Sequence, residues 1–295
     1  MRPVAVACLM LMAACAHAGG APRAAGPMPV PMLPSTEAAP TPTPVVAPHV
    51  FVIVMENKSF AEAMAQPFTA RLAAENAVAT NYHAVAHPSL PNYLALTSGS
   101  TYGIRDDGYH ALPDSGIGRQ LTDAGVAWRA YMEGMTGGCL AGTGSYAVKH
   151  DPFAYYAGGC PADVVPMEPQ LEADLAADPA HAPRFSWITP DLCHDGHDCT
   201  ALVADAFLAA LVGRITASPA FQAGGLLFVT WDEDDGGAGN QVPLIAAGAG
   251  VHPGQSDRAY DHYSLLATLE DLLGVSRLGE AASATPLDEL VETAR

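Results

Sequence analysis

Four separate segments of the chain carry clusters of carboxylates or histidines, side chains that bind divalent cations. They are Glu56-Asn57, the stretch 191–198, the acidic run 232–235 and Asp261-His262. Clustered carboxylates repel one another, and a bound cation removes that repulsion. Oxygen-rich ligand sets suit Mg²⁺, Ca²⁺ or Mn²⁺, and added imidazoles suit Zn²⁺. Each segment alone is typical of a helix cap, a turn or a polar loop, but the four together favour a site for one or two divalent metal ions.

Ser89 lies in the stretch His87–Gly99, which predicts a loop followed by a short helix. Pro91 suits the first helical position because its missing N–H is not needed there, and Gly99 suits the end of the helix. Ser89 is therefore predicted just ahead of a helix N-terminus, a place that favours a bound phosphate. A serine at such a place most often caps the helix. On this stretch alone the cap is favoured over a hydroxyl that attacks phosphorus.

The elements that would position these residues follow from the pattern of apolar residues. The run His49–Met55 is apolar and β-branched, which predicts a strand buried on both faces. Further strands are predicted at 126–132, 184–188, 226–231 and 242–247, and helices at 59–76 with a break at Pro67, at 202–217 and at 264–273. This alternation favours an α/β fold with a mostly parallel sheet sandwiched between helices. Ligands bind at the carboxyl ends of such strands, so we expect the polar segments to meet there.

Residues 134–163 are rich in glycine and tyrosine and show no clear period, so we predict a loop. Four cysteines lie outside the N-terminal apolar segment, at Cys139, Cys160, Cys193 and Cys199. An even number in an oxidising compartment indicates disulfides. Three pairings are possible, and sequence proximity favours Cys139–Cys160 and Cys193–Cys199. A zinc site is disfavoured because no Cys-x-x-Cys spacing occurs.

The N-terminus has the pattern of a targeting segment. Residues 1–18 combine Arg2 with an apolar core too short to span a membrane. Cleavage after Ala18, or a lipobox that makes Cys15 the lipidated first residue, are both possible. Residues 19–48 form a Pro/Ala-rich linker, and residues 49–292 form the predicted catalytic domain. We therefore expect an extracytoplasmic protein, with a lipid anchor at Cys15 as its only route to a membrane.

The charge of the chain limits its partners. The sequence has 31 acidic and 13 basic residues, a net charge of −18. Such a charge argues against nucleic acid as a partner. An anionic substrate would need a local positive charge, and bound metal ions are the usual source.

Seven segments, taken together and in order, resemble a known family. They are Met55–Ser59, His87–Tyr93, Lys149–Phe153, Asp195–Asp198, Trp231–Gly236, Asn240–Pro243 and His262-Tyr263. The chain resembles the bacterial phosphoesterase family that includes secreted acid phosphatases and phospholipases C, and is most similar to the small mycobacterial-type acid phosphatases. The resemblance implies a fold like that of the alkaline-phosphatase superfamily, whose sheet carries a Ser or Thr nucleophile among metal ligands.

The resemblance also implies a role for each matched residue. Ser89 is the expected nucleophile, and Asn92 is expected to hold phosphoryl oxygens. The expected ligands of one metal ion are Glu56, Asn57, Asp232 and Glu233. A second metal ion or a leaving-group acid is expected at Asp191, His197 and His262, although neither His194 nor His197 follows Asp191 at the superfamily's Asp-x-x-x-His offset. Substrate contacts are expected at His87, Lys149 and His150.

The residues and the resemblance together predict a secreted, metal-dependent phosphomonoesterase that forms a phosphoserine at Ser89. Its expected substrates are phosphorylated small molecules or lipids. The nearer alternatives are a phospholipase C-like phosphodiesterase and a phosphoinositide phosphatase. A serine acyl-hydrolase using Ser89 and His262 is disfavoured because no Gly-x-Ser-x-Gly motif occurs. A third class is a metal-stabilised surface protein without turnover.

Overall fold

The computed structural model describes residues 48–293, so the predicted segment 1–18 and all but the last residue of the predicted linker 19–48 lie outside the described residues. The first strand, β1 (Val50–Met55), has the sequence VFVIVM, and all six residues are buried. Successive residues of a strand point to opposite faces of its sheet. Full burial therefore means that both faces of the sheet are covered here, as predicted.

Nine further strands follow β1 within residues 48–293. They are β2 (Ala77–Ala79), β3 (Tyr82–His83), β4 (Trp128–Met132), β5 (Val164–Pro166), β6 (Phe185–Thr189), β7 (Leu226–Trp231), β8 (Leu244–Gly248), β9 (Gly254–Ser256) and β10 (Tyr260–Asp261). Eight strands form one sheet in the order β5-β4-β6-β1-β7-β8-β2-β9, and β10 pairs with β3. The five strands from β5 to β7 are mutually parallel, and β8 is antiparallel to β7 and β2. The predicted mostly parallel sheet is confirmed.

The helices within the same residues are α1 (Phe60–Met64), α2 (Pro67–Glu75), α3 (Ser89–Ser98), α4 (Ile117–Asp123), α5 (Met167–Leu175), α6 (Ala201–Ala217), α7 (Pro219–Gln222) and α8 (His262–Leu273). The predicted break at Pro67 separates α1 from α2. Helix α2 packs against α6, and α3 packs against α8. No helix among the described residues has the length and hydropathy needed to cross a membrane.

Helix α3 is buried along its whole length. It begins at Ser89, two residues before the predicted start at Pro91, because Pro88 takes the cap position. Its end at Gly99 is confirmed: Gly99 is left-handed with φ 69°, and its N–H bonds to Ala95. A side chain on Gly99 would also clash with the carbonyl of Leu278. The end of α3 is thus fixed both by conformation and by close packing.

The register of the central strands places the polar segments at the same edge of the sheet. Met55 of β1 pairs with Trp231 of β7, so Glu56 and Asp232 follow at the same edge of the sheet. The Asp232 amide donates to the Met55 carbonyl at 3.0 Å, and the Glu56 amide donates to the Asp195 carbonyl at 2.9 Å. Backbone hydrogen bonds therefore join the loops after β1, β6 and β7.

Two disulfides fix loops near this edge. They join Cys139 to Cys160 and Cys193 to Cys199, the pairing that sequence proximity favours. The first lies in the predicted loop 134–163, in which the structure forms only short 3₁₀ turns at Val148–His150 and Pro152–Ala154. That segment is held by a disulfide, side-chain contacts and scattered backbone hydrogen bonds rather than by long helices or strands.

Candidate active site

Ser89 lies among buried carboxylates at the carboxyl ends of β1 and β7. Glu56 directly follows β1, and Asp232 and Glu233 follow β7. Ser89 Oγ is 3.2 Å from Glu56 Oε2 and 3.3 Å from Glu233 Oε1, so its hydrogen can be donated to either carboxylate. Ser89, Glu56 and Asp232 are almost completely buried. The structure thus brings the predicted nucleophile together with three predicted ligands of one metal ion.

Ser89 is the first residue of α3 and does not cap that helix. Pro88 at the cap position offers no capping side chain. The neighbouring amide, that of Leu90, donates to Asp107 Oδ1 at 3.1 Å. The interpretation of Ser89 as a helix cap is therefore wrong, and its hydroxyl is directed to the carboxylates instead.

Asn57, the fourth predicted metal ligand, occupies a turn after β1. Its φ of 50° lies in the left-handed region, which asparagine adopts more readily than most residues. In this conformation its N–H donates to Asp232 Oδ1 at 3.2 Å. Lys58 Nζ donates to the carbonyls of Asn57 and Gly196, at 2.9 and 3.0 Å. The turn is thereby tied to the loops after β6 and β7.

The four carboxyl groups of this cluster have raised pKa values. Burial, with the charge of Glu233, raises the pKa of Asp232 to about 8. Burial also raises the pKa of Asp195 to about 8 and that of Glu233 to about 7. The pKa of Glu56 lies well above its usual range because the group is buried beside Asp232 and Asp195. Such groups become charged together only beside a compensating positive charge.

Several atoms of the cluster lack a hydrogen-bond partner. Among the buried side-chain atoms of residues 48–293, those without a hydrogen-bond partner include Asp232 Oδ2, Asp195 Oδ2 and His150 Nε2. Buried polar atoms normally have a partner, so these three indicate a ligand. Carboxylate oxygens and an imidazole nitrogen are donors that divalent metal ions bind. The residues present therefore fit a divalent metal ion.

His150, a predicted substrate contact, lies inside the cluster. Its Nε2 is 3.1 Å from Glu56 Oε1 and its Nδ1 is 3.3 Å from Asp195 Oδ2, neither aligned as a hydrogen bond. Burial lowers the pKa of His150 well below its usual range, which keeps the ring in its neutral, metal-binding form. Ligand atoms of Glu56, His150 and His197 lie within 4.8 Å of one another. His150 thus has the surroundings of a ligand as well as those of a substrate contact.

Lys149 brings a positive charge to the same edge. Its Nζ donates to Asp107 Oδ2 at 3.1 Å and lies 3.3 Å from His197 Nε2. The other ring nitrogen of His197 is 2.7 Å from Asp198 Oδ1. In a chain of net charge −18, this ammonium group is a local positive charge beside the buried carboxylates.

His87 lies at the solvent side of the cluster. Its side chain is 45% exposed, with Nδ1 2.6 Å from Glu233 Oε2 and Nε2 3.3 Å from Asp234 Oδ1. His87 therefore lies between solvent and the carboxylates of Glu233 and Asp234, and its role as a substrate contact stays a prediction.

Asn92 bonds to the backbone of the loop that leads into Ser89. Its Oδ1 accepts from the amides of Val85 and Ala86, and its Nδ2 donates to the carbonyls of Ala86 and Pro88. The side chain is fully buried. These bonds favour a role in positioning Ser89 over the predicted contact with phosphoryl oxygens.

His262 lies behind Asp232. Its Nε2 is 2.6 Å from the Asp232 carbonyl, and its Nδ1 is 2.8 Å from the Tyr82 hydroxyl. Burial lowers the pKa of His262 to about 4, so the ring is neutral. Because both ring nitrogens have protein partners, the contacts favour a role in positioning Asp232. They do not bring His262 together with His197.

Asp191 belongs to a different group of side chains. Its Oδ1 accepts from the amides of Cys193 and His194, and His194 Nδ1 is 3.0 Å from both carboxylate oxygens of Glu133. Ligand atoms of Glu133, Asp191 and His194 lie within 4.8 Å of one another. The residues expected around a second metal ion, Asp191, His197 and His262, thus fall into three separate sets of contacts.

Three residues of the site are not among those predicted. The Tyr93 hydroxyl donates to Glu56 Oε1 at 2.6 Å, and Asp195 accepts from the His197 amide at 2.7 Å. Tyr93 and Asp195 both lie in segments that carry the family resemblance. That resemblance is the sequence signal that could have identified them. Asp107, which joins Leu90 to Lys149, lies in an Asp-Asp-Gly run that looks like an ordinary turn.

We expect metal binding at this cluster to strengthen as the pH rises from 6 to 8. Without a cation, the raised carboxyl pKa values stabilise the folded state at low pH, and this stabilisation is lost as the pH rises through about 8. A cation displaces these protons, so its apparent affinity follows deprotonation. The increase in Tm between chelator and saturating metal should be larger at pH 8 than at pH 6. An equal or smaller increase at pH 8 would contradict this assignment.

Comparisons with known proteins bear on the family, the fold and the class of reaction. The model of the Phosphoesterase family matches residues 62–276. The phosphatidylinositol-3-phosphatase of Mycobacterium tuberculosis is 34% identical over 255 residues, covering 82% of each chain. The phosphate-repressible acid phosphatase of Penicillium chrysogenum is 28% identical over 243 residues, covering 77% of this chain and 59% of the fungal protein.

Among solved structures, a member of the alkaline phosphatase superfamily from Vibrio parahaemolyticus has a TM-score of 0.59 at 13% identity, covering 80% of this chain and 70% of that one. This likeness confirms the predicted alkaline-phosphatase-like fold. The phosphatase relatives support hydrolysis of phosphoric esters. Because the family model covers most of its length, the chain belongs to the Phosphoesterase family.

Proposed function

We propose that this protein is a metal-dependent phosphomonoesterase of the acid-phosphatase type that acts through a phosphoserine at Ser89. The observation that carries the proposal is the buried Ser89 hydroxyl, directed at Glu56 and Glu233 within a cluster of unpartnered carboxylate oxygens. A serine in this position can transfer a phosphoryl group in two steps. The acid phosphatase relative supports the choice of monoesters.

Glu56, Asn57, Asp232 and Glu233 would hold the metal ion, with Asp195 and His150 beside them. When bound, the ion supplies positive charge that makes the serine hydroxyl more acidic and offsets the charge of the phosphoryl oxygens. Magnesium, calcium, manganese and zinc all suit a set of carboxylates with an imidazole nearby.

The side chains of the protein carry out the attack on phosphorus and the proton transfers. The Ser89 oxygen attacks phosphorus while its hydrogen passes to the carboxylate of Glu56 or Glu233. Lys149 attracts the phosphoryl group, and His197, held by Asp198, gives a proton to the departing alcohol. Water then hydrolyses the phosphoserine and regenerates the hydroxyl.

The alternatives differ in how the described contacts support them. For an acyl-hydrolase, Ser89 would need a histidine partner, yet its hydrogen bonds go to carboxylates while His262 contacts Tyr82 and Asp232. A phosphoinositide phosphatase is supported by the name of the mycobacterial relative. A phospholipase C-like phosphodiesterase would use the same chemistry on a diester. An assay that compares a monoester with a diester distinguishes it from a phosphomonoesterase.

We place the protein outside the cytoplasm. The N-terminal pattern of residues 1–18 supports export, and two disulfides suit an oxidising compartment. Cys15 would be the site of any lipid anchor.

The test of the proposed function compares esters with and without metal. Elemental analysis of the purified protein should find a divalent cation, and chelation should abolish hydrolysis of glycerol phosphate until that cation is restored. We expect a monoester to be hydrolysed faster than bis(p-nitrophenyl) phosphate. Faster hydrolysis of the diester would assign a phosphodiesterase, and preference for phosphatidylinositol 3-phosphate vesicles would assign a phosphoinositide phosphatase. Full activity after complete removal of metal would overturn the metal-dependent mechanism.

A further inference from the structure

A cavity of about 420 Å³ lies beside the candidate active site. Its lining residues are Asp107, Tyr109, Leu140, Val148, Lys149 and Tyr155. Among the described residues, the exposed large apolar side chains are Tyr109, Leu140, Leu202 and Val203, and the first two line this cavity. Apolar side chains that remain in water beside a reactive centre gain free energy when an apolar ligand covers them.

Two side chains of the cavity wall contact residues of the candidate active site. Lys149, at the cavity wall, lies 3.3 Å from His197 Nε2. Asp107, also at the wall, accepts the amide of Leu90, the residue after Ser89. A substrate whose phosphoryl group reaches Ser89 can therefore place the rest of its structure in the cavity.

The wall of the cavity suits an aromatic ring. The rings of Tyr109 and Tyr155 form a tilted pair with centroids 5.2 Å apart, and Leu140 and Val148 add aliphatic surface. Aromatic rings prefer offset or edge-to-face partners of this kind. The two charged groups of the wall already bond to each other, Lys149 Nζ to Asp107 Oδ2 at 3.1 Å. The aromatic and aliphatic side chains therefore form the part of the wall that a ring can cover without displacing this ion pair.

The wall is held in place before a substrate arrives. Leu140 follows Cys139, which is bonded to Cys160. The Tyr146 hydroxyl donates to the Cys139 carbonyl at 2.6 Å and lies 2.8 Å from Asp151 Oδ2. A preformed wall loses little conformational entropy on binding.

We propose that this cavity binds the aromatic leaving group of an aryl phosphomonoester and so determines the substrate preference of the enzyme. The proposal rests on the proposed phosphomonoesterase function. In the reaction, the phosphoryl group passes to Ser89 Oγ, the bond from phosphorus to the aryl oxygen breaks, and the ring leaves as a phenol protonated by His197. Hydrolysis by water then releases inorganic phosphate.

The test compares 1-naphthyl phosphate with glycerol 2-phosphate in matched variants. Tyr109→Ser and Leu140→Ser remove apolar surface from the cavity, and Leu202→Ser removes a similar exposed side chain on α6 as the control. Comparing each variant with wild type cancels the different intrinsic reactivities of the two esters. We expect each cavity variant to lower kcat/KM for 1-naphthyl phosphate by about tenfold, and that for glycerol 2-phosphate by less than about twofold. The loss should be mainly in KM because the contact is made in both ground and transition states.

A direct binding measurement separates recognition from chemistry. Calorimetric titration of Ser89→Ala protein with 1-naphthyl phosphate should show weaker binding when Tyr109→Ser is added. Equal losses on both esters, or no loss on either, would overturn the aryl assignment. Dodecyl phosphate serves as a third ester in the same assay. If the cavity variants reduce the hydrolysis of this ester alone, the cavity binds an alkyl chain, which would also overturn the aryl assignment. The proposed phosphomonoesterase function would be contradicted by different results, namely no hydrolysis of any of these esters by the wild-type protein or retained activity in Ser89→Ala.

Discussion

Ser89→Ala should lower kcat for phosphomonoesters by at least about 1,000-fold, because the reaction loses its nucleophile. The fold should remain intact. The substitution removes one hydroxyl whose single hydrogen is shared between Glu56 and Glu233, a net cost of about 1 kcal/mol. Circular dichroism and Tm would establish folding, and steady-state kinetics would give the rate. Acid quenching during turnover should trap phosphate on the Ser89 peptide of the wild-type protein.

Ser98→Ala is the matched control for this experiment. Ser98 is buried in the same helix, but its hydroxyl donates to the Leu94 carbonyl and takes no part in the cluster. We expect this variant to keep its rate. A folded Ser89→Ala protein with substantial activity, or phosphate trapped on a different residue, would show that Ser89 is not the nucleophile.

Asp232→Asn should weaken metal binding at least about 100-fold and lower the rate with it, since a hard cation loses an anionic ligand. The same change should stabilise the metal-free protein at pH 8. Burial beside other carboxyls raises the pKa of Asp232 to about 8, so its charged form destabilises the fold when no cation is present. Thermal unfolding with chelator and with metal measures both effects in one series. The variant should melt above wild type in chelator and gain less from metal.

Asp235→Asn controls for the loss of one negative charge. Asp235 is exposed in the same acidic run, and its side chain accepts only the amide of Gly237 among the described hydrogen bonds. It should retain wild-type metal content. Full metal occupancy in Asp232→Asn, with only the rate reduced, would mean that Asp232 does not bind the ion.

The sequence predicts the central part of the sheet well because apolar runs have a clear physical cause. Strand β7 has its predicted limits, and β1 differs only in its first residue. The short strands β2, β3, β9 and β10 are too brief to show a period, and their pairing depends on partners far along the chain. The antiparallel direction of β8 is likewise set by pairing rather than by its own residues.

The site is only partly predictable for a related reason. The positions of residues directly after strands, such as Glu56 and Asp232, are predictable because the end of each strand fixes them. Asn92 and His262 are polar residues in matching segments, yet their side chains turn to backbone groups, which no spacing pattern reveals. The cavity wall comes from segment 134–163 and the residues around Tyr109, which have no period to interpret.

The strand order has a consequence for the stage of folding at which the metal site forms. Asn57 bonds to Asp232 across 175 residues of sequence, and Ser89 meets Glu233 across 144. Closing loops of this length costs entropy before the contact stabilises the chain, so we expect these contacts to form late in folding. Under the proposed function, an incomplete chain carries only scattered carboxylates with little affinity for a cation. Insertion of β7 beside β1 creates the binding site, so captured metal selectively stabilises molecules that have finished folding.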